Sequence, residues 1–360
     1  MKQRLAKLKD SRYFRSSSII LIGAFFVNFL SYLFAIIVGR LLGPVNYGEV
    51  ASIFGLAAII GVPAGTVSMF MTKRVAGLAA KGEHSRLHRL YNYVVKNTFL
   101  FSLILMIVYF LLMPLVAQFL RLEYLPLVIF GLVIPITFLL SINLGSLQGL
   151  QDFVPFSYSN FWGALSKLIL AVIFIFFGWS VWGVILALVL SNVVSELYSL
   201  TVIKKKILVA NDSDDREIVI TKRDILPYVS IAFWATLLLT VITNIDVILA
   251  KHYLPDELAG QYAALSVMGK IIIYGTGAFV TAMFPMVSAS QSNGDGEGSK
   301  LLANSLMVVT ALSGIAIVVF WFAPKLVISL LFGSKYFFAI PYLGLIGLAM
   351  FFIALTTAYV

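Results

Sequence analysis

The sequence predicts an all-α, polytopic membrane protein with about ten membrane-spanning helices. Of its 360 residues, 61% are hydrophobic and only 12% are charged, and the mean hydropathy is +0.99. The apolar residues form long continuous runs without an alternating apolar and polar pattern. Because the bilayer core offers no water to backbone amides, such runs must pair their amides internally, as helices of about 20 residues do.

Ten apolar runs define the spans, and the basic residues between them define an orientation. With the N-terminus in the cytoplasm, nineteen of the 26 Lys and Arg residues fall in cytoplasmic segments, and five, including Arg40 and Lys251, fall outside. The excess of inside positive charge predicts a multi-pass protein of the cytoplasmic (inner) membrane with a cytoplasmic N-terminus and an uncleaved first span. The predicted spans are 16–38, 50–71, 94–119, 125–148, 157–178, 181–203, 225–250, 260–287, 301–323 and 337–358.

The longest polar insertion divides the chain into a six-helix N-terminal bundle (1–210), a cytoplasmic linker (211–224) and a C-terminal bundle of four helices (225–360). A weak internal repeat supports paired halves, since LLGPVNYGEVAS at 41–52 aligns with YLPDELAGQYAA at 253–264, matching Gly48 with Gly260. Paired repeats with a site between them are a recurrent transporter plan. The second half is short, and we expect two to four further spans in a complete pair.

Three segments resemble polysaccharide flippases of the Wzx type, within the multidrug/oligosaccharidyl-lipid/polysaccharide exporter superfamily. They are GRLLGPVNYGEVASIFGLAAIIG at 39–61, NIDVILAKHYLPDELAGQYAALSVMGKI at 244–271 and LLFGSKYFFAIPYLGLIGLA at 330–349. The resemblance implies two six-helix bundles around a central cavity, the second of them incomplete here. It also implies transport of polyprenyl-diphosphate-linked oligosaccharide, such as an O-antigen precursor, by alternating access, together with polysaccharide-assembly proteins as partners.

Two lysines within predicted spans are candidates for binding the substrate. Lys167 lies midway along the fifth span, on a small and polar stripe with Asn160, and Lys270 lies about ten residues into the eighth. A buried charge is costly in a bilayer, and a lysine ammonium is a suitable point charge for a diphosphate. The alternative for each is a structural ion pair or an ammonium that reaches the membrane interface.

Further polar side chains within the spans divide into two groups of candidates. Asp246 and Glu196 could take up H⁺ or bind Na⁺ and so couple an ion to transport, or they could be interfacial carboxylates with structural partners. Arg40 and Asn28 are additional substrate-binding candidates. The alternatives are an interfacial anchor for Arg40 and a hydrogen bond between helices for Asn28.

No soluble-enzyme constellation is present in the sequence, so we expect neither catalytic residues nor a cofactor. His84 and His88 are four residues apart, but they lie in a basic loop with Glu83 alone as a nearby carboxylate, and we predict no metal site there. The net charge of +10 comes from segments between spans and indicates no nucleic-acid binding. Membrane lipids are expected partners, and the rival functions are a cation-coupled multidrug antiporter and a membrane-embedded glycosyltransferase or polymerase.

Overall fold

The computed structural model describes residues 12–208, 222–292 and 297–359. Every regular element within these ranges is helical, which confirms the predicted all-α class. The α-helices are α1 (Arg12–Ala80), α2 (His84–Leu120), α3 (Tyr124–Gly131), α4 (Val133–Gly149), α5 (Phe153–Phe176), α6 (Ser180–Ile203), α7 (Lys222–Tyr253), α8 (Asp256–Ser292), α9 (Glu297–Phe322), α10 (Pro324–Leu331) and α11 (Leu343–Tyr359). A π-helical turn (Lys204–Leu208) follows α6, and a 3₁₀ helix (Ser334–Tyr342) precedes α11.

The helices coincide with the predicted spans, because long apolar runs leave the backbone no other way to satisfy its amides. In the described ranges, seven helical segments are long and apolar enough to cross a membrane. The number rises to eight when Leu306–Phe322 and Pro324–Leu331, bent by 95° at their junction, count as one span. Two predicted spans, 16–38 and 50–71, lie within the single element α1.

A sharp break at Gly43 divides α1 into two limbs. Gly43 has φ 76° and ψ 174°, a conformation that residues with a Cβ rarely adopt. Pro44 follows, and proline is well suited to the start of a helix because the missing N–H would lack a partner there. The predicted external turn between the first two spans is therefore a backbone break at one Gly-Pro step.

Contacts between Cα atoms divide the chain into two compact units, each continuous only in space. Unit 1 consists of Met1–Ser31 and Glu49–Tyr253, and unit 2 consists of Tyr32–Gly48 and Leu254–Val360. Helix α7, which the sequence groups with the second bundle, has its compact contacts in unit 1. Of the predicted linker 211–224, residues 211–221 lie outside the described residues and 222–224 begin α7.

Small residues bring the helices of unit 1 close together. Gly145 and Gly149 of α4 face the main-chain carbonyls of Ser68 and Thr72 in the second limb of α1, so a side chain at either glycine would collide with backbone. Thr72 Oγ1 donates to the carbonyl of Gly145 at 3.2 Å. Close approach of this kind gives membrane helices the van der Waals contact and hydrogen bonds that replace a hydrophobic driving force.

In unit 2, the end of the first limb of α1 packs against α8 and the 3₁₀ segment. Tyr336 Oη donates to the carbonyl of Gly39 at 2.7 Å, and the Tyr47 ring lies edge-on to the Tyr336 ring. A Cβ built on Gly260 would fall on the carbonyl of Pro44, and one built on Gly48 would lie 3.0 Å from the Gly260 nitrogen. The two glycines that align in the sequence repeat are thus in contact with each other.

Candidate functional site

Lys167 lies in the wall of a cavity of about 340 Å³ within unit 1. The cavity lies among the second limb of α1 and helices α3 to α6, and apolar side chains form most of its wall. The ammonium of Lys167 lies 5.8 Å from the centre of the Phe54 ring, within the range of a cation–π interaction. Thr137 and Asn192 are the other polar residues of the lining. A mainly apolar pocket with one cation and two hydrogen-bonding groups is suited to an anionic or hydroxyl-bearing ligand.

The rest of the Lys167 stripe packs against α6. Gly163 lies against the side chain of Ser195, and a Cβ built on Gly163 would approach that side chain to 3.3 Å. Ala164 and Ala171 are buried. Asn160, predicted to bind substrate, is half-buried and donates through Nδ2 to the carbonyl of Phe156 at 2.9 Å, so its amide is engaged with its own helix.

Lys270 lies in unit 2, on α8, and is half-buried. One turn earlier on the same face, Ser266 is fully buried, whereas Tyr274, one turn later, is 55% exposed. The predicted polar face of the eighth span therefore emerges from the interior of unit 2 close to Lys270. The two midplane lysines belong to different units, so no single unit contains both.

Glu196 belongs to a buried hydrogen-bonded chain that joins three helices of unit 1. Tyr91 Oη on α2 donates to Asn143 Oδ1 on α4 at 2.6 Å, and Asn143 Nδ2 donates to Glu196 Oε1 on α6 at 2.9 Å. The other carboxylate oxygen, Oε2, is buried and has no hydrogen-bond partner among the described residues. An acceptor in this state is a candidate for a proton or a cation.

The remaining candidates lie apart from this chain. Asp246 is half-buried on α7, and Ala250, one turn later, is buried. Asn28, on the first limb of α1 in unit 1, is exposed. Neither contributes to the lining of the Lys167 cavity.

Arg40 is held at the C-terminus of α10 within unit 2. Its Nε donates to the carbonyl of Leu331 and its Nη2 donates to that of Ser329, both at 2.8 Å, and Nη2 also contacts the carbonyl of Leu330. The last carbonyls of a helix lack intrahelical donors and carry the negative end of the helix dipole. The arrangement gives Arg40 a structural role, and a role in binding substrate stays a prediction.

The sequence analysis missed a cluster of charged and aromatic residues at the end of α7. Lys251, counted there among external loop residues, is 1% exposed in the last turn of α7, and its Nζ lies 3.8 Å from Glu49 Oε1. Arg121 Nη2 donates to the carbonyl of Lys251 at 2.6 Å, and the His252 ring stacks on Phe119 at 3.8 Å. Placing Lys251 in a loop was wrong, because a basic residue at the edge of an apolar run gave no indication of its distant partner Glu49.

The fold and this cavity define a membrane transporter. Solved structures with a similar fold include an inward-facing multidrug resistance MATE family transporter of the MOP superfamily, with a TM-score of 0.67 and 14% identity over 91% of this chain and 80% of that one. Others are a MATE in complex with MaD5 (TM-score 0.62, 17% identity, 96% and 81% of the two chains) and the MATE transporter ClbM in complex with Rb⁺ (0.60, 16%, 97% and 81%).

The family is given by the sequence. Residues 14–291 match the model of a family described as polysaccharide biosynthesis protein. The chain belongs to this family of Wzx-like flippases within the MOP superfamily, as its three resembling segments indicated. Among curated protein sequences, none matches the chain.

Proposed function

We propose that the protein moves a polyprenyl-diphosphate-linked oligosaccharide across the cytoplasmic membrane, by alternating access, for the synthesis of surface polysaccharide. The observation that carries this proposal is the Lys167 ammonium in the wall of an otherwise apolar cavity. A fixed positive charge in a low-dielectric cavity favours an anionic head group, and the amide and hydroxyl of Asn192 and Thr137 can bind sugar hydroxyls. Lys270 of unit 2 is proposed as a second contact to the same head group.

The experiment measures surface polysaccharide in cells that lack the native gene and carry one of three variants. Lys167→Met keeps the apolar stem and removes the charge, Lys167→Arg keeps a charge, and Lys96→Gln removes an exposed lysine of α2 as a matched control. Loss of a charge-assisted contact is expected to reduce delivery by roughly 10- to 100-fold in Lys167→Met, with lipid-linked oligosaccharide accumulating inside. Normal delivery by Lys167→Met at normal membrane abundance would contradict the proposal.

A second candidate function is multidrug export, because the fold is shared with the MATE transporters named above. Failure of the intact protein to restore surface polysaccharide, together with protection of the cells from cationic drugs, would favour it. The predicted orientation, with the N-terminus in the cytoplasm, is part of the flippase proposal and can be tested by the accessibility of a tag placed before Arg12.

Coupling to H⁺ or Na⁺ at Glu196 is the second part of the proposal. A buried carboxylate oxygen without a donor costs free energy, which a proton or a cation bound there would recover. In proteoliposomes, Glu196→Gln is expected to transport at a rate independent of both pH and Na⁺ gradients. Glu83→Gln, which removes a carboxylate paired with Arg86 in the α1–α2 connection, is the matched control. Asp246 is the alternative coupling residue if gradient dependence survives Glu196→Gln.

A further inference from the structure

Unit 2 contains an apolar groove that the proposed transport does not use. It has a volume of about 440 Å³ and lies between the start of α8 and the segment from the 3₁₀ helix into α11. Leu258, Tyr262 and Leu265 line it at helical spacing on the α8 side, and Phe338 and Tyr342 line the other side. We call it the α8 groove. Phe338 is 57% exposed and Tyr342 47% exposed, so the groove is open along one edge.

A buried amide interrupts the apolar wall of the α8 groove. Gln261 is only 4% exposed and donates through Nε2 to the carbonyl of Lys335 at 2.7 Å. Its Oε1 is buried and accepts no hydrogen bond from any described residue. An amide oxygen in an apolar setting without a donor is costly, and most such groups in folded proteins have a partner. The unfilled acceptor therefore indicates a ligand that carries a hydroxyl or an N–H group.

A positive charge lies next to this acceptor. Lys335, whose carbonyl receives the Gln261 hydrogen bond, is exposed. Its ammonium makes no ion pair or hydrogen bond with any described residue, and it lies beside the main-chain break, 3.9 Å from a Cβ built on Gly43. A lysine ammonium in this position can pair with a phosphate as a point charge.

We propose that the α8 groove binds one membrane phospholipid whose head group is anionic and carries hydroxyls, as that of phosphatidylglycerol does. A hydrocarbon chain lies along the apolar wall, the phosphate pairs with Lys335, and a head-group hydroxyl donates to Gln261 Oε1. A free phosphate would leave the apolar wall uncovered, whereas a lipid satisfies the wall, the acceptor and the charge together. In a protein that spans a bilayer, lipid is also the most abundant ligand available to an open apolar groove. The proposal holds for either candidate function, because it involves no residue assigned to transport.

The test is photolabelling of the full chain in phosphatidylcholine nanodiscs that contain a trace of phosphatidylglycerol with a diazirine on its acyl chain. Labelled peptides are identified by mass spectrometry, with unlabelled phosphatidylglycerol or phosphatidylcholine added as competitor. We expect label in residues 254–265 and 338–346, and we expect phosphatidylglycerol to compete roughly tenfold better than phosphatidylcholine, because it gains the Lys335 and Gln261 contacts.

Two variants and their matched controls decide the outcome. Leu258→Trp fills the groove and should abolish its labelling, whereas Leu326→Trp, at an exposed position of α10, should not. Lys335→Gln should remove the preference for phosphatidylglycerol, whereas Lys325→Gln should keep it. If Leu258→Trp does not give a monodisperse protein, the competition ratio in Lys335→Gln decides alone. Unchanged groove labelling in a folded Leu258→Trp, or equal competition by the two lipids against the unmodified protein, would overturn the proposal.

Discussion

Replacing Gly260 with alanine tests whether the contact between the two repeat glycines holds unit 2 together. The added methyl group would fall on the carbonyl of Pro44 and within 2.9 Å of the Pro44 Cα, so main chain rather than a flexible side chain must move. That main chain is also tied to the 3₁₀ helix through the Tyr336 hydrogen bond to Gly39. Overpacking of a tight contact costs about 3 kcal/mol at the upper end of the usual range, and collision with backbone belongs at that end.

At this chain length, a loss of that size is expected to lower the Tm by about 6 °C. The assay is thermal unfolding of the detergent-purified protein, followed by the monodisperse fraction remaining after heating. Gly275→Ala, on the same helix but with no atom within 4 Å of the added methyl group, is the matched control and should leave the Tm unchanged or slightly higher. Gly48→Ala should fall between the two, since its Cβ would meet only the Gly260 nitrogen at 3.0 Å. Equal Tm values for Gly260→Ala and Gly275→Ala would refute the reasoning.

Two further predictions concern charged residues with structural partners. Lys251→Met leaves Glu49 without its buried partner and should destabilise the protein by about 2–3 kcal/mol. Glu49→Gln combined with Lys251→Met should cost less than the sum of the single changes, and additive losses of unfolding free energy would show that the 3.8 Å pair contributes nothing. Arg40→Gln removes donors from the end of α10 and should cost about 1 kcal/mol in thermal unfolding, with Arg40→Lys intermediate because an ammonium cannot hold three carbonyls in a fixed plane. Lost transport at an unchanged Tm would instead assign Arg40 to the substrate.

The positions of the helices were predictable from the sequence, whereas the partners of their polar residues were not. A continuous apolar run determines a span through its own backbone, and so all ten runs fall in helices. Glu196 stands out in the sequence as a charge within a span, but its partners Asn143 and Tyr91 come from two other helices that hydropathy cannot orient.

The division into compact units was also beyond the sequence. Hydropathy and loop length place α7 in the second half, but Glu49, Arg121 and Phe119 hold its C-terminal end in unit 1. The pairing of Gly48 with Gly260 in the repeat was visible as an alignment. Their physical contact was not, because it depends on a backbone break that only the conformation of Gly43 reveals.

The composition of unit 2 imposes an order on biosynthesis. Its segment Tyr32–Gly48 leaves the ribosome early, but its partners begin at Leu254, about 200 residues later. At roughly 5–20 residues per second, the segment waits for roughly 10–40 s before the chain it packs against exists. During that interval, Arg40 has no helix end to bind and Gly48 faces no second glycine. Ribosome pausing or premature termination within this stretch would therefore leave the early segment inserted but unassembled, as a target for membrane quality control.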